Sequence, residues 1–300
     1  MQDLAGKVAV VAGATRGAGR GIARMLGAAG ATVYCAGRSS RANRTGRLPQ
    51  SNPFELGNRP ETIEETAELV RREGGTGLPA VADLLDESQV RALFGRVSSE
   101  QGRLDLLVND LWGGDELTEW GKPFWELDPQ KGRRMLERAV HAHILASRHA
   151  APLLVARRQG LIIEITDGDT LRYRGNLYYD LAKVSAIRLA FAMAEELRPH
   201  GVAALALTPG FLRSEAMLEH FGVTEANWRD GAGKDPHFIA SETPQFIGRA
   251  VAALAADPEV MRKSGGAYST WGLAKEYGFT DADGSRPDWG TYFAGIEPRS

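Results

Sequence analysis

The chain has 300 residues, of which 43% are hydrophobic, and its 36 basic residues nearly balance 38 acidic ones. A chain of this length buries about three quarters of its extended surface when it folds. The net charge of -2 excludes the basic excess of a protein that neutralises many phosphates of a nucleic acid. The single cysteine, Cys35, excludes an intramolecular disulfide and a thiolate metal cluster and favours a reducing compartment.

The sequence contains no signal for a membrane or a metal. No apolar stretch approaches the roughly 18 residues that cross a bilayer, and no cationic leader precedes the first strand-like segment. No group of residues has the spacing of metal ligands. These observations predict a soluble cytoplasmic protein without a metal site, whose partner is neither a nucleic acid nor a membrane.

Short apolar runs alternate with segments of helical period along most of the chain. The predicted strands are residues 7–12, 32–36, 77–81, 104–108, 161–166 and 202–207. Their Val, Ile, Leu and Ala runs are typical of parallel strands that are buried on both faces. With a helix between successive strands, residues 1–300 are predicted to form a single-domain α/β fold with a doubly wound, Rossmann-like parallel sheet.

Chemical signals mark the ends of two of the helices. Pro60 is expected at the first position of the helix before the third strand, and Gly74 is expected to end that helix. Asp86 and Gln89 stand three residues apart, as in a capping box, and predict the start of the next helix. Residues 38–59 interrupt this pattern as an Arg-rich insertion, and such long loops are usually functional or disordered.

The first predicted strand leads into a glycine-rich turn that reads GATRGAG from Gly13 to Gly19, and a helix follows. Glycines in this position allow a tight turn and let the backbone approach a pyrophosphate, while helix N-terminal amides point at its oxygens. The turn therefore predicts a dinucleotide site. The alternative is a plain strand-to-helix turn.

The turn has the GxxxGxG spacing of the short-chain dehydrogenase/reductase family, and the chain resembles that family over nearly all of its length. The other residues that carry the resemblance are Asp83, Asn109, Tyr179, Lys183, Pro209 and Gly210. The segments 268–271 and 277–279 are similar to the branch that includes dehydrogenase/reductase member 1. The resemblance implies a nicotinamide cofactor and the interconversion of a carbonyl and a secondary alcohol.

The family places its catalytic tyrosine and lysine at Tyr179 and Lys183, which share one face of a helix. A free phenol has a pKa of about 10, and a nearby ammonium favours the phenolate. Tyr179 is therefore expected to act as general acid in reduction and as general base in oxidation. The resemblance gives Lys183 a second role, a hydrogen bond to the nicotinamide ribose.

A serine that precedes the family's tyrosine holds the substrate oxygen, and counting back from Tyr179 leads to Thr166. Threonine supplies the same hydroxyl donor. Asp167 competes for the position, and Thr170 is a third candidate. Because an ionised aspartate cannot donate a hydrogen bond and repels a developing alkoxide, the sequence favours Thr166.

Two departures from the family pattern leave other functions open. Alanine at Ala139, near the place of a family asparagine, cannot help to hold a proton-relay water. His141 or His143 could replace it, or both could be ordinary helix residues. Residues 109–112 also differ from the family's Asn-Asn-Ala-Gly turn. The alternative hypotheses are a non-catalytic NADP-binding sensor or partner protein and a redox-neutral lyase or epimerase.

The end of the second strand indicates which nicotinamide cofactor binds. Gly37-Arg38-Ser39 contains no carboxylate to bind the ribose hydroxyls, and Arg38 with Arg16 offers fork-shaped donors to a 2'-phosphate. NADP(H) is predicted, with NAD(H) as the alternative. The predicted cofactor-binding residues are Gly13, Thr15, Arg16, Gly17, Gly19, Arg38, Asp83, Leu84, Asn109, Lys183, Pro209, Gly210 and Ser214.

Residues 211–244 follow the last of the predicted strands and mix Gly and Pro with scattered Phe, Met and Trp. Open α/β sheets bind ligands at this edge, so the segment is predicted to be a C-terminal substrate lid. Trp112, Phe211, Met217 and Phe221 are expected to line an apolar pocket for a hydrophobic ketone, aldehyde or secondary alcohol. The alternative is that they pack the core beneath the lid. By analogy with the family, a homodimer or homotetramer is expected.

Overall fold

Seven parallel strands form one sheet in the order β3-β2-β1-β4-β5-β6-β7. The computed structural model describes residues 3–43, 53–55 and 59–296. The strands are β1 Val8–Ala12, β2 Thr32–Gly37, β3 Thr76–Val81, β4 Leu106–Asn109, β5 Gly160–Ile165, β6 Val202–Thr208 and β7 Ala267–Ser269. All six predicted strands are present with ends that differ by one or two residues, and the doubly wound parallel sheet is confirmed.

Helices pack on both faces of the sheet. They are α1 Gly17–Ala28, α2 Ile63–Arg72, α3 Glu87–Gln101, α4 Pro129–Leu136, α5 Ala142–Arg157, α6 Leu177–Leu197, α7 Glu215–Phe221, α8 Pro244–Ala256, α9 Thr270–Tyr277 and α10 Trp289–Ile296. Alternate residues of a strand point to opposite faces. Val11 accordingly joins a core that contains residues of α1 and α8, whereas Val10 joins a core that contains residues of α3 and α5.

The structure tests the two helix ends that were predicted from capping residues. Asp86 caps α3 by accepting hydrogen bonds from the backbone N–H groups of Ser88 and Gln89, as predicted. The prediction for α2 was wrong, because Thr62 is its N-cap and forms a reciprocal capping box with Glu65. Pro60 therefore lies before the helix. The capping box gives hydrogen-bond acceptors to the backbone N–H groups of Thr62 and Glu65, which have no partner within the helix.

Part of the predicted Arg-rich insertion, residues 44–52 and 56–58, lies outside the described residues. At its described end, Arg59 is buried and pairs with Glu61 and, at 2.7 Å, with Glu219 of α7. This link ties the end of the insertion to the start of the lid. Within the described ranges, no helix is long and apolar enough to span a bilayer, and no group of three metal-ligating side chains is positioned to hold an ion.

Candidate active site

A cleft of about 900 Å³ opens at the carboxyl ends of the central strands. The strand order reverses between β1 and β4, the position at which doubly wound sheets bind ligands. The predicted site residues that line the cleft are Gly13, Thr15, Arg16, Gly17, Arg38, Asp83, Leu84, Trp112, Thr166, Tyr179, Lys183, Pro209, Gly210, Phe211, Ser214 and Met217. Most of the predicted site residues therefore lie on the cleft wall, but Gly19, Asn109 and Phe221 do not form part of it.

The glycine-rich turn packs directly against the turn after β4. Gly13 has a φ of 95°, and a Cβ atom there would lie 2.2 Å from the backbone oxygen of Asp110. Gly19 supports the turn from behind, because its N–H donates to the Asp110 carboxylate at 2.5 Å. Burial raises the pKa of Asp110 to about 7, so this carboxyl group titrates near neutral pH.

The N-terminal end of α1 meets the criteria for a pyrophosphate site. The N–H of Gly17 donates to the Glu215 carboxylate at 2.8 Å, which shows that this helix end accepts an anionic oxygen. A Cβ atom at Gly17 would have only the Ser214 Cβ atom within 4 Å, at 3.8 Å. Gly17 thus borders the open cleft, and a phosphate oxygen bound to its N–H would take the position that the Glu215 carboxylate now occupies.

The side chains of both predicted arginines lie near the end of β2, where Arg38 follows the strand and Arg16 reaches it from the turn before α1. Each of them is close to a carboxylate. Arg38 lies 3.9 Å from Asp83 with 48% of its side chain exposed. Arg16 lies 3.4 Å from Glu61 and 3.5 Å from the hydroxyl of Ser39. The strand end itself lacks an acid, as the sequence indicated, but Glu61 reaches Arg16 from the start of α2, a contact that the sequence did not reveal.

Tyr179 and Lys183 lie in the first two turns of α6, which Asn176 caps by accepting from the backbone N–H groups of Tyr178 and Tyr179. The Lys183 Nζ atom lies 3.8 Å from the centre of the Trp112 ring, and this distance allows a cation–π contact. The Trp112 ring also meets the Tyr179 ring edge-on at 5.4 Å. Trp112 therefore contacts both predicted catalytic side chains.

The protonation of Tyr179 differs from the sequence-based expectation. Its pKa is raised well above the usual range, first by burial and then by the Asp167 carboxylate, which accepts a hydrogen bond from the Tyr179 hydroxyl at 2.8 Å. Burial also lowers the pKa of Lys183. The prediction that the Lys183 ammonium would favour the phenolate of Tyr179 was therefore wrong for this arrangement, in which Asp167 stabilises the neutral phenol.

The prediction that Thr166 takes the place of the family serine is also corrected. The Thr166 hydroxyl donates to the backbone oxygen of Lys183 at 2.7 Å, so its proton is already used within the fold. The next residue, Asp167, places its carboxylate against the Tyr179 hydroxyl. The charge of Asp167 disfavours it as a hydrogen-bond donor, but in the structure Asp167, and not Thr166, bonds the Tyr179 hydroxyl.

The predicted cofactor contact of Asn109 is wrong. Asn109 is fully buried, and its amide nitrogen donates to Glu164 at 2.7 Å and to Ser147 at 2.9 Å. Nor does either histidine reach the site of the family asparagine: His143 is buried against Glu164, and His141 is exposed on the π-helical segment Glu137–His141. Asn109 and His143 thus pack beneath the turn after β4 and do not enter the cleft.

The lid has a small apolar core of its own. Phe221 is only 6% exposed and packs against Phe238, with 4.4 Å between ring centres, and Trp228 completes the cluster. Phe221 was predicted to line the pocket, but this packing turns it away. Phe211 and Met217 pack on the same cluster and do face the cleft.

Trp289 of α10 lines the cleft as well, and its ring meets that of Phe211 at 5.8 Å. No motif marks Trp289 in the sequence, because a contact between residues 78 positions apart depends on the complete fold. Asp115 is a further residue without a sequence signal. It lines the cleft and accepts a hydrogen bond from the indole nitrogen of Trp112 at 2.8 Å.

Comparison with known proteins gives one family. The family model described as short chain dehydrogenase matches residues 50–222. Dehydrogenase/reductase SDR family member 1 of Mus musculus is 36% identical over 286 residues, which cover 94% of this chain and 85% of that protein. The Homo sapiens protein of the same name is 36% identical over 284 residues, or 93% and 84% of the two chains.

Solved structures show the same fold. A short chain dehydrogenase from Mycobacterium thermoresistibile has a TM-score of 0.76 at 23% identity and covers 96% of this chain and 93% of its own. Hydroxysteroid dehydrogenase from Escherichia coli has a TM-score of 0.69 at 23% identity, with 90% and 97% covered.

The family match covers more than half of the chain, and the sequence identity extends over nearly all of it. The resemblance carried by the glycine-rich turn, Tyr179 and Lys183 is thereby confirmed, including the branch near dehydrogenase/reductase member 1. Membership implies binding of NAD(P)(H) and chemistry at a CH–OH or C=O group. The chain belongs to the short-chain dehydrogenase/reductase family of oxidoreductases.

Proposed function

We propose that the protein is an NADPH-dependent reductase of hydrophobic ketones or aldehydes, or the corresponding alcohol dehydrogenase in reverse. The observation that carries this proposal is one continuous cleft. It contains the pyrophosphate-type helix end at Gly17, the Tyr179 and Lys183 pair, and the apolar side chains of Trp112 and Phe211. Such a cleft accommodates a dinucleotide at one end and an apolar carbonyl at the other.

The cofactor would be held by groups that the structure brings to the cleft wall. The backbone amides at Gly17 suit the pyrophosphate, Asp83 and Leu84 suit the adenine end, and Pro209-Gly210 borders the nicotinamide end. When bound, the nicotinamide supplies a hydride to the substrate carbon or removes one from it. Glu215 would have to leave the Gly17 amide, because a carboxylate and a phosphate cannot share it.

Tyr179 would donate its hydroxyl proton to the substrate oxygen in reduction and take it back in oxidation. Its neutral phenol, which burial and Asp167 favour, is the form required for reduction. Lys183 lies one helical turn away and would attract the developing oxyanion. The substrate oxygen competes with Asp167 for the Tyr179 proton, so substrate binding requires that the Tyr179–Asp167 hydrogen bond opens or that Asp167 is protonated.

The preference for NADPH is supported by Arg38, whose exposed guanidinium stands at the end of β2 in place of an acid. In the R38A variant we expect KM for NADPH to rise roughly tenfold, the value of one charge-assisted hydrogen bond of about 1.5 kcal/mol, with little change for NADH. R41A is the matched control, because Arg41 is equally exposed but pairs with Glu68. Equal effects of both variants on NADPH would contradict the cofactor proposal.

The function itself is tested by the rate of NADPH consumption with a panel of aromatic, aliphatic and anionic carbonyls, with NADH as the control. We expect turnover with the apolar members and little with anionic ones, because Asp115 and Asp167 both line the cleft. If NADPH binds but no carbonyl in the panel is reduced, the reductase proposal fails and a sensor or a redox-neutral enzyme is favoured.

A further inference from the structure

A buried polar cluster lies directly beneath the turn that connects β4 with the active site. His143 of α5 and Glu164 of β5 are 2% and 0% exposed, and the Nδ1 atom of His143 contacts the Glu164 carboxylate. The Nε2 atom of the same ring lies 2.9 Å from the backbone oxygen of Leu111. The other Glu164 oxygen accepts a hydrogen bond from the Asn109 side chain.

Both ring nitrogens of His143 face hydrogen-bond acceptors. The imidazolium satisfies both at once, since each of its nitrogens carries a proton. A neutral ring beside an ionised Glu164 keeps its proton on Nδ1, which leaves the bare Nε2 atom facing the Leu111 oxygen. The contact with Leu111 thus depends on the proton that His143 and Glu164 hold together.

The Leu111 contact leads directly to the catalytic pair. Leu111 precedes Trp112, whose ring lies against both the Lys183 ammonium and the Tyr179 ring. Within the described residues, His143 is the one side chain shown to bond the Leu111 oxygen, so it fixes the backbone that carries the indole.

We infer that His143 and Glu164 form a positioning pair that holds Trp112 against Lys183 and releases it when the pair loses its proton. The catalytic consequence rests on the proposed reductase function, whereas the movement of Trp112 does not. The other charged groups that face His143 are Lys183 of α6 and Asp110 of the turn after β4.

The direction of the pH dependence follows from the surroundings of His143. Burial alone would lower its pKa, but the Glu164 carboxylate and the hydrogen bonds to Glu164 and Leu111 raise it above the ordinary value. The pair therefore keeps its proton to a higher pH than a free imidazole does, so Trp112 is held below the raised pKa of His143 and released above it.

The E164Q variant separates this mechanism from a purely structural role. The amide that replaces the Glu164 carboxylate can donate to Nδ1 of His143, which places the ring proton on Nε2 and keeps the Leu111 hydrogen bond at every pH. The H143L variant lacks the donor at every pH. S147A is the matched control, because Ser147 belongs to the same buried cluster but has no contact with Leu111.

The test is the tryptophan emission of the apo protein as a function of pH. Each protein is compared with the same protein that also carries W112F, and the difference isolates Trp112 among the six tryptophans. The inference predicts that the wild type and S147A share a titration step above about pH 6.5 that E164Q lacks, and that H143L gives at every pH a signal like that of the wild type at high pH. Where turnover is measurable, kcat follows the same steps.

Identical titrations of wild type and E164Q would overturn the inference, and so would a step that is lost in S147A. E164Q alone decides the matter if H143L does not fold. The emission is measured without substrate. The expected titration steps, together with no turnover of any carbonyl in the panel, would therefore support the positioning pair and reject the reductase function.

Discussion

Asp167 places a carboxylate beside the catalytic tyrosine, where the family has the hydroxyl of a serine. Its carboxylate accepts a hydrogen bond from the Tyr179 hydroxyl and, after burial, is the main cause of the raised pKa of Tyr179. A negative charge so close to the phenol opposes the phenolate that alcohol oxidation requires. In the proposed reductase, Asp167 would therefore favour the neutral phenol, the form that donates a proton in reduction.

Replacing Asp167 by serine removes this charge. In D167S we expect the pKa of Tyr179 to fall, so that the acidic limb of the pH profile for alcohol oxidation moves to lower pH by about one unit. The measurement is kcat/KM for oxidation against pH. D169N is the control, since Asp169 lies on the same loop but is not among the groups that shift the pKa of Tyr179. An unchanged limb in D167S would show that Asp167 does not tune the tyrosine.

Residue identities could be predicted from the sequence where a motif fixes them, as it does for Gly13, Tyr179 and Lys183. Thr166 and Asp167 could not be separated by charge arguments, because the direction of each side chain depends on the hydrogen bond that Thr166 makes to α6. Asn109 follows the predicted strand, as expected. Its hydrogen bond with Glu164 could not be predicted, because it depends on the pairing of β4 with β5.

At the scale of elements, residues 211–244, the predicted lid, present two different surfaces. One surface of α7 and its neighbours lines the cleft through Met217, while the other forms the cluster of Phe221, Trp228 and Phe238. The sequence predicted the lid from its Phe, Met and Trp content, but it could not assign each aromatic residue to a surface, because the short helices of the lid give only weak periodicity.

The lid core yields a stability prediction. F221A should destabilise the lid by about 3–5 kcal/mol, the usual cost of truncating a buried phenylalanine, and raise KM for the carbonyl more than it lowers kcat. Limited proteolysis and steady-state kinetics would check this. I239A is the matched control, because Ile239 belongs to the same lid but is 46% exposed. Equal protease resistance of F221A and wild type would contradict the assignment.

The strands could be predicted with ends accurate to two residues because their apolar runs reflect burial on both faces. β7 was missed, since its three residues, Ala267–Ser269, are too few to produce a run. The start of α2 was misplaced at Pro60 because the reciprocal capping by Thr62 and Glu65 outweighs the preference of proline for a first helical turn.

At the scale of the whole molecule, several buried groups make stability depend on pH. Burial raises the pKa of Asp110 to about 7 and that of Glu242 to about 8. An acid with a raised folded pKa keeps a proton that the unfolded chain releases, so stability falls as pH rises from the unfolded pKa of about 4 to the folded pKa. His143, with its raised pKa, adds stability that is likewise lost on the alkaline side.

The apo protein is therefore expected to unfold at a higher urea concentration at about pH 6 than at about pH 9. E242Q should reduce this difference, because it removes one titrating group while keeping an oxygen that can accept from Gly210 and Thr270. E126Q, at an exposed glutamate, is the control. A wild-type midpoint that rises between these two pH values would contradict the direction of the buried shifts.

Tyr179 is the proton donor of the proposed reaction, and the most direct test of this role is the NADPH-dependent turnover of the best carbonyl by Y179F beside the wild type. Loss of a general acid lowers kcat by at least about 100-fold. NADPH binding should stay within about twofold, because among the described residues the Tyr179 hydroxyl bonds Asp167 and no group of the glycine-rich turn. Turnover by Y179F at the wild-type rate, with intact cofactor binding, would contradict the assignment of this cleft as the catalytic site.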